Sequence, residues 1–315
     1  RLGVHVNFAP VVDVNSNPDN PIINNRSFGE DPHRVADLGS AYMQGLQDAG
    51  VLACAKHFPG HGDTDSDSHK TLPIVTHSKA RLDSIDLVPF KQMIQAGLGS
   101  MMVAHLYIPS LDDTENLAST LSPKVVSGLL KEEMGFEGLI FTDGLNMKGV
   151  SQFYEPGEVD VKALLAGNDV LLFAQDVPTA IEKIKEAVAK KQITQEEIDQ
   201  RCRKILLAKK WFGLDELTPV VEENLITDLT TPQTELLNRK LVEKSLTLLQ
   251  NNDDLIPVRK LDTLKIASVS IGEPGAVFQE TLSKYAKIDH YQIAEEHSDS
   301  ERKALLQQLG EYNLV

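Results

Sequence analysis

The first two thirds of the chain predict an α/β fold built on one parallel sheet, and three features predict it. Short apolar runs alternate with amphipathic helical stretches, the pattern of successive βα units. Runs such as SMMVAH at 100–105 and GLIFTD at 138–143 are apolar nearly throughout, as strands buried on both faces must be. Glycine closes helical stretches at Gly50 and Gly135, where a C-terminal cap is needed.

Taken in order, Val4 to Val14 (VHVNFAPVVDV) reads as a strand, followed by a helix from about Pro32 to Ala49. Leu52 to Phe58 is the next strand, and a polar loop runs from Pro59 to Pro73. A helix over Ser84 to Ala96 leads into the strand Ser100 to Leu106. Ser122-Pro123 is a helix start, with Ser as N-cap and Pro in the first turn. Val125, Val126, Leu129, Leu130 and Met134 then fall on one helical face. The strand Gly138 to Thr142, a helix near Val159 to Ala166 and the strand Asp169 to Phe173 follow. Helices over Pro178 to Lys191 and Thr194 to Phe212 complete this region, 1–212. A (β/α)8 barrel takes about 250 residues and eight strands. The sheet is therefore either open or completed by βα units upstream of Arg1, and a start at Arg rather than Met favours the second expectation.

Residues 213–231 are polar and acidic and read as a linker. Beyond it, 232–315 holds a helix (Pro232 to Ser245), an apolar run (Leu246 to Leu249), a strand (Lys265 to Ile271) and helices over Ala276 to Ala286 and Ser300 to Leu309. This is the beginning of a second α/β unit. With 46 acidic against 31 basic residues, a net charge of −15 argues against nucleic acid or an anionic membrane surface as main partner. No apolar run reaches the roughly 18 residues of a membrane span. Cys54 and Cys202 lie far apart and do not fix the redox compartment.

The densest polar segment is Lys56 to Lys70, KHFPGHGDTDSDSHK, with His57, His61 and His69 beside Asp63, Asp65 and Asp67. It leaves the C-terminal end of a strand, where ligands bind in parallel α/β folds. Three readings compete: a solvated loop, a metal site lacking any standard ligand spacing, and an acid/base dyad. In the third, Asp67 at i and His69 at i+2 share one side of an extended loop, the carboxylate fixing the imidazole tautomer. Asp143 follows another strand in FTDGLNM, as a capping residue or a reactive carboxylate. Lys56, His57, His105 and Arg26 (in NNRSFGEDP) sit at other strand ends or loops, although VAHLY equally allows His105 to be a core histidine.

At these residues the sequence resembles glycoside hydrolase family 3, in its β-N-acetylglucosaminidase branch. The stretches NFAPVVDV, NRSFGEDP, KHFPGHGDTDSDSH, STLSPKVVSGLLKEEMGFEGLIFTDGLNM and AGNDVLLF carry the resemblance. It implies a (β/α)8 TIM-type barrel, here lacking its first βα units, followed by the start of an αβα sandwich domain. It further implies a retaining exo-β-N-acetylglucosaminidase acting on peptidoglycan fragments (muropeptides) or chitooligosaccharides, with no cofactor and no metal. Asp143 would be the nucleophile and His69, oriented by Asp67, the general acid/base. Arg26, Lys56 and His57 would bind sugar hydroxyls, with His105 beside them. An extracytoplasmic location is the expectation that goes with a second domain. Two alternatives stand beside this one, a metal-dependent hydrolase using His57, His61, His69 and Asp143, and an inactive carbohydrate-binding homologue.

Overall fold

The computed structural model describes residues 2–67, 71–216 and 218–315. The chain divides into two units, one ending at Leu225 and the other running from Ile226 to Val315.

The first unit holds five parallel strands in strictly sequential order: β1 (Val6–Asn7), β2 (Leu52–Phe58), β3 (Ser100–Val103), β4 (Leu139–Gly144) and β5 (Val170–Leu172). Sequential order without a reversal is the winding of a (β/α)8 barrel, whereas a doubly wound sheet turns back at a switch point. β3 and β4 pair in unbroken register from Ser100↔Leu139 to Val103↔Thr142. Every residue of β3 is buried, in accord with its continuous apolar run. Among the described residues β1 and β5 are the outer strands of this sheet.

The strand expected over Val4 to Val14 keeps regular pairing only at Val6–Asn7. Pro10 has no N–H to give to a ladder, so the regular strand stops short of it. The chain nonetheless stays beside β2 through Cys54 N–H to Ala9 O (2.9 Å), Lys56 N–H to Pro10 O (3.2 Å) and Val12 N–H to Lys56 O (2.8 Å). β3 likewise ends at Val103 rather than Leu106, which leaves His105 on the segment beyond the ladder.

Helix α1 (Pro32–Asp48) begins with Asp31 as N-cap, its carboxylate accepting Arg34 N–H at 2.7 Å, and Pro32 in the first turn. Its buried stripe of Val35, Ala36, Gly39 and Met43 faces the sheet. Gly39 permits that approach, since a Cβ there would meet Val12 Cγ1 at 2.7 Å. The helix expected over Ser84 to Ala96 starts earlier, at Lys79 behind the Ser78 cap, winds wide through Leu82–Asp86, and continues as α2 (Val88–Gln95). Helix α3 (Lys124–Glu133) is also wound wide, closing with Met134 N–H on Leu129 O at 2.9 Å. Val125, Val126, Leu129 and Leu130 are buried on it as expected. Helices α4 (Glu158–Ala166), α5 (Val177–Ala189) and α6 (Gln195–Trp211) follow.

The main core joins Val12, Val14, Ala53, Ala55, Met101, Val103 and Ile140 from the strand layer to Phe90, Met93 and Leu130 from the helices. Phe58, at the end of β2, meets Phe90 edge-on with ring centroids 5.4 Å apart. Truncating either ring to alanine would cost about 3–5 kcal/mol, so the rigid end of β2, where the polar loop departs, is among the best-packed points of the unit.

In the second unit, β6 (Ile266–Ile271) and β7 (Ile288–Ile293) pair in parallel over all six positions. The crossover between them carries helix α8 (Ala276–Leu282) and follows α7 (Pro232–Ser245), which occupies the span expected of it. β7 is an addition to the elements read from sequence: IDHYQI mixes exposed and half-buried positions and lacks a continuous apolar run. Helix α9 (Asp299–Leu309) is held by a reciprocal cap between Ser298 and Glu301. The expected linker 213–231 contains the short helical turns Leu214–Glu216 and Leu225–Leu229. No helix among the described residues is long and apolar enough to cross a membrane.

Candidate active site

The polar residues collect at the C-terminal ends of the first four strands. Their organising group is Asp13, just past the segment that runs beside β2 and fully buried. Oδ2 of Asp13 accepts His57 Nδ1 at 2.7 Å, and Oδ1 accepts the backbone N–H of His61 at 2.7 Å and of His57 at 3.1 Å. Burial alone would raise the Asp13 pKa, but His57, hydrogen-bonded to it, and His61 outweigh burial and hold it below the usual carboxylate range. The carboxylate is therefore ionised, and it ties together the end of β2 and the start of the polar loop.

That loop is pinned at its first turn by an amide network. His61 Nδ1 lies 2.6 Å from Thr64 Oγ1, Asn20 Nδ2 donates to His61 O at 2.8 Å, and Asn17 Nδ2 donates to Thr64 O at 3.2 Å. Asn20 Oδ1 in turn accepts the N–H groups of Ile22 and Ile23, at 2.9 and 2.8 Å. Farther along, Asp63 is ion-paired with His77 Nε2, and Thr71 N–H donates to Asp67 O at 3.0 Å. Burial lowers the pKa of His61, with nearby His57 adding to the effect and Asp13 opposing it.

Asp143 sits at the end of β4, with Gly144 N–H donating to its Oδ1 at 2.8 Å. Burial pushes its pKa up, but His105, His57, the Gly144 N–H and Lys56 together bring it below the ordinary carboxylate value. It is a half-buried anion among cations. Lys56 is lowered first by burial and then by Arg26, while Asp143 and Asp13 pull it back up. Those mutual effects put Arg26, Lys56, Asp143 and Asp13 in one electrostatic neighbourhood. Arg26 also donates from Nη1 to Ile22 O at 3.1 Å, closing the turn Asn24–Arg26 that presents it.

Residues 1–208 match the profile described as the glycosyl hydrolase family 3 N terminal domain. The chain belongs to glycoside hydrolase family 3. Beta-hexosaminidase A of Pseudoalteromonas piscicida is 33% identical over 311 residues, covering 91% of this chain and 50% of that protein. A beta-hexosaminidase of Nitrosospira multiformis is 40% identical over 182 residues, 58% of this chain and 51% of that one. A family 3 beta-N-acetylglucosaminidase structure from Paenibacillus sp. str. FPU-7 superposes with a TM-score of 0.82 at 34% identity, covering 100% of this chain and 62% of that one. The chain thus spans about half the length of these curated relatives.

Within the family 3 unit, the geometry sorts the residues singled out in the sequence. Arg26, Lys56, His57 and Asp143 are brought together. His105 stands behind them, fully buried, with Nδ1 2.8 Å from Thr120 Oγ1 and Nε2 donating to Gly144 O at 2.9 Å. Its ring thereby braces the residue next to Asp143. Asp67 is described and lies on the loop, whereas His69 lies outside the described residues. Among the described residues no three His, Cys, Asp or Glu side chains converge as a metal-ligand set. Asp13 was the omission of the sequence reading. Its signal was present: a lone carboxylate inside VVDV, where a strand buried on both faces should be apolar.

Proposed function

We propose that the protein is a retaining β-N-acetylglucosaminidase that releases terminal β-linked N-acetylglucosamine from oligosaccharides or muropeptides. The observation that carries this reading is Asp143, an ionised carboxylate at the end of β4, held by the Gly144 N–H and in the field of Lys56. Such a group attacks the anomeric carbon and forms a covalent glycosyl ester, while an acid on the other face protonates the departing oxygen. We assign the acid to His69, oriented by Asp67. As imidazolium it gives its proton to the leaving group, and as neutral imidazole it takes one from the water that cleaves the ester. A neutral base does not repel the lactyl and peptide carboxylates of cell-wall fragments. Arg26, Lys56 and His57 are assigned to the sugar hydroxyls. The names of the β-hexosaminidase relatives support this choice of substrate class.

The test is Asp143→Ala. Hydrolysis of an aryl β-N-acetylglucosaminide should fall by about 10³-fold or more, and azide should restore release of the aryl group by forming a glycosyl azide. Full activity in the variant would refute the assignment.

A further inference from the structure

Asp13 does more than fill a buried position. Each of its oxygens is engaged, and each donor on it comes from the stretch His57–His61: two backbone N–H groups and one imidazole nitrogen. An ionised carboxylate has no proton to give, so the contact between Oδ2 and His57 Nδ1 has only one polarity, with Nδ1–H donating. The neutral ring is then bare at Nε2. The rings of His57 and His61 meet edge-on, centroids 6.0 Å apart, and His61 Nδ1 is already turned to Thr64. The two histidines are thus held by different partners, and the tautomer of His57 is set by the Asp13 charge.

We propose that Asp13 is a positioning residue that fixes His57 as the Nδ1–H tautomer, making Nε2 an acceptor for a sugar hydroxyl. The proposal rests on the glycosidase reading for the identity of the hydroxyl's owner, and on the hydrogen bonds alone for the tautomer. A ring nitrogen that accepts selects a group that can donate. His57 is then suited to a free hydroxyl and unsuited to an ether or a second acceptor at the same place. The arrangement has a second consequence. The same carboxylate that sets the ring also orders the backbone leaving β2, so ring direction and loop direction are fixed by one group.

Asp13→Asn tests it. The amide oxygen can still accept the two backbone N–H groups, but its NH2 then faces Nδ1 and requires that nitrogen to accept, which moves the ring proton to Nε2. Histidine ¹⁵N NMR of the full chain, with the His57 signals assigned by their loss in His57→Gln, should show protonated Nδ1 and bare Nε2 in the wild type. The pattern should be reversed in Asp13→Asn. With an aryl β-N-acetylglucosaminide, Asp13→Asn should lower kcat/KM by about 30- to 100-fold. In a His57→Gln background the same substitution should change it by less than about threefold, because its effect runs through the ring. An Nε2–H wild-type ring, an unchanged tautomer in Asp13→Asn, or losses that multiply in the double variant would each overturn the proposal. If Asp13→Asn does not fold, the wild-type spectrum still decides the tautomer. If the wild type turns over no N-acetylglucosaminide, the glycosidase reading fails while the NMR result stands on its own.

Discussion

Gly62 lies directly against the main chain of Val14: a Cβ at position 62 would overlap the Val14 carbonyl oxygen and come within 2.5 Å of its carbon. Both atoms belong to backbone, next to Asp13, so neither can swing aside. Gly62→Ala should therefore destabilise the first unit by about 2–3 kcal/mol and displace the loop that leaves β2. Urea unfolding read together with hydrolysis of an aryl substrate would check this. A variant with wild-type midpoint and rate would mean the Val14 segment yields readily.

Asp86 gives a pH signature of opposite sign to that of the site carboxylates. It is 2% exposed, paired with Arg81 Nη1 at 2.7 Å, and packed so close to Gly60 that a side chain there would come within 2.8 Å of its Cβ. Burial pushes its pKa up to about 6, against the pull of Arg81 and His77 and with added push from Asp63. Because the folded value exceeds the ordinary 3.8, the native state holds this proton more tightly than the unfolded chain does. The corresponding stability is complete below 3.8 and is lost as pH rises through about 6. Asp86→Asn cannot titrate, so it should gain on the wild type between those limits by at most about 2–3 kcal/mol. Paired urea midpoints across that range measure the gain. A constant gap would count against it.

The brace between His105 and Gly144 predicts a change in the pH–rate profile. His105 is the largest of the influences that offset burial at Asp143. Replacing it by Asn should raise the Asp143 pKa and move the acidic limb of kcat/KM to higher pH. Activity at neutral pH should fall by about tenfold to a hundredfold. Thr120→Val, which removes the Nδ1 partner together with that hydroxyl's contacts to the Val103 and Ala104 carbonyls, should cost about 1–3 kcal/mol of stability and move the limb in the same direction. An acidic limb left in place by both variants would detach His105 from Asp143.

The acid role proposed for His69 is separable, by choice of leaving group, from the attack proposed for Asp143. His69→Ala should lose about 100-fold or more on a natural disaccharide and far less on a nitrophenyl glycoside, whose leaving group departs without a proton. Equal losses on the two substrates would move the acid role elsewhere.

Much of the fold was legible because strand and helix periods differ and because proline and glycine mark the ends. β2 and α7 occupy the spans read for them, and the Asp31 and Thr194 caps open their helices. The losses have local causes. Pro10 breaks the first ladder, the half-polar face of β7 hid a strand, and the wide winding of α3 buries the same residues an ordinary helix would bury. In the site, reactive residue types at strand ends were visible singly. Which of them support others was not, since that depends on pairings such as Asp13 with His57, 44 residues apart.

The sequential winding of the sheet carries a consequence for how the proposed activity is acquired. Asp13, His57, His105 and Asp143 arrive on four successive strand ends, each set beside its predecessor by one more crossover. No shorter stretch of polypeptide carries all four residues, so the proposed turnover is a sensitive gauge of whether the three crossovers between those strands have docked. Misfolded or partly assembled molecules should register as catalytically silent long before they lose their helical content.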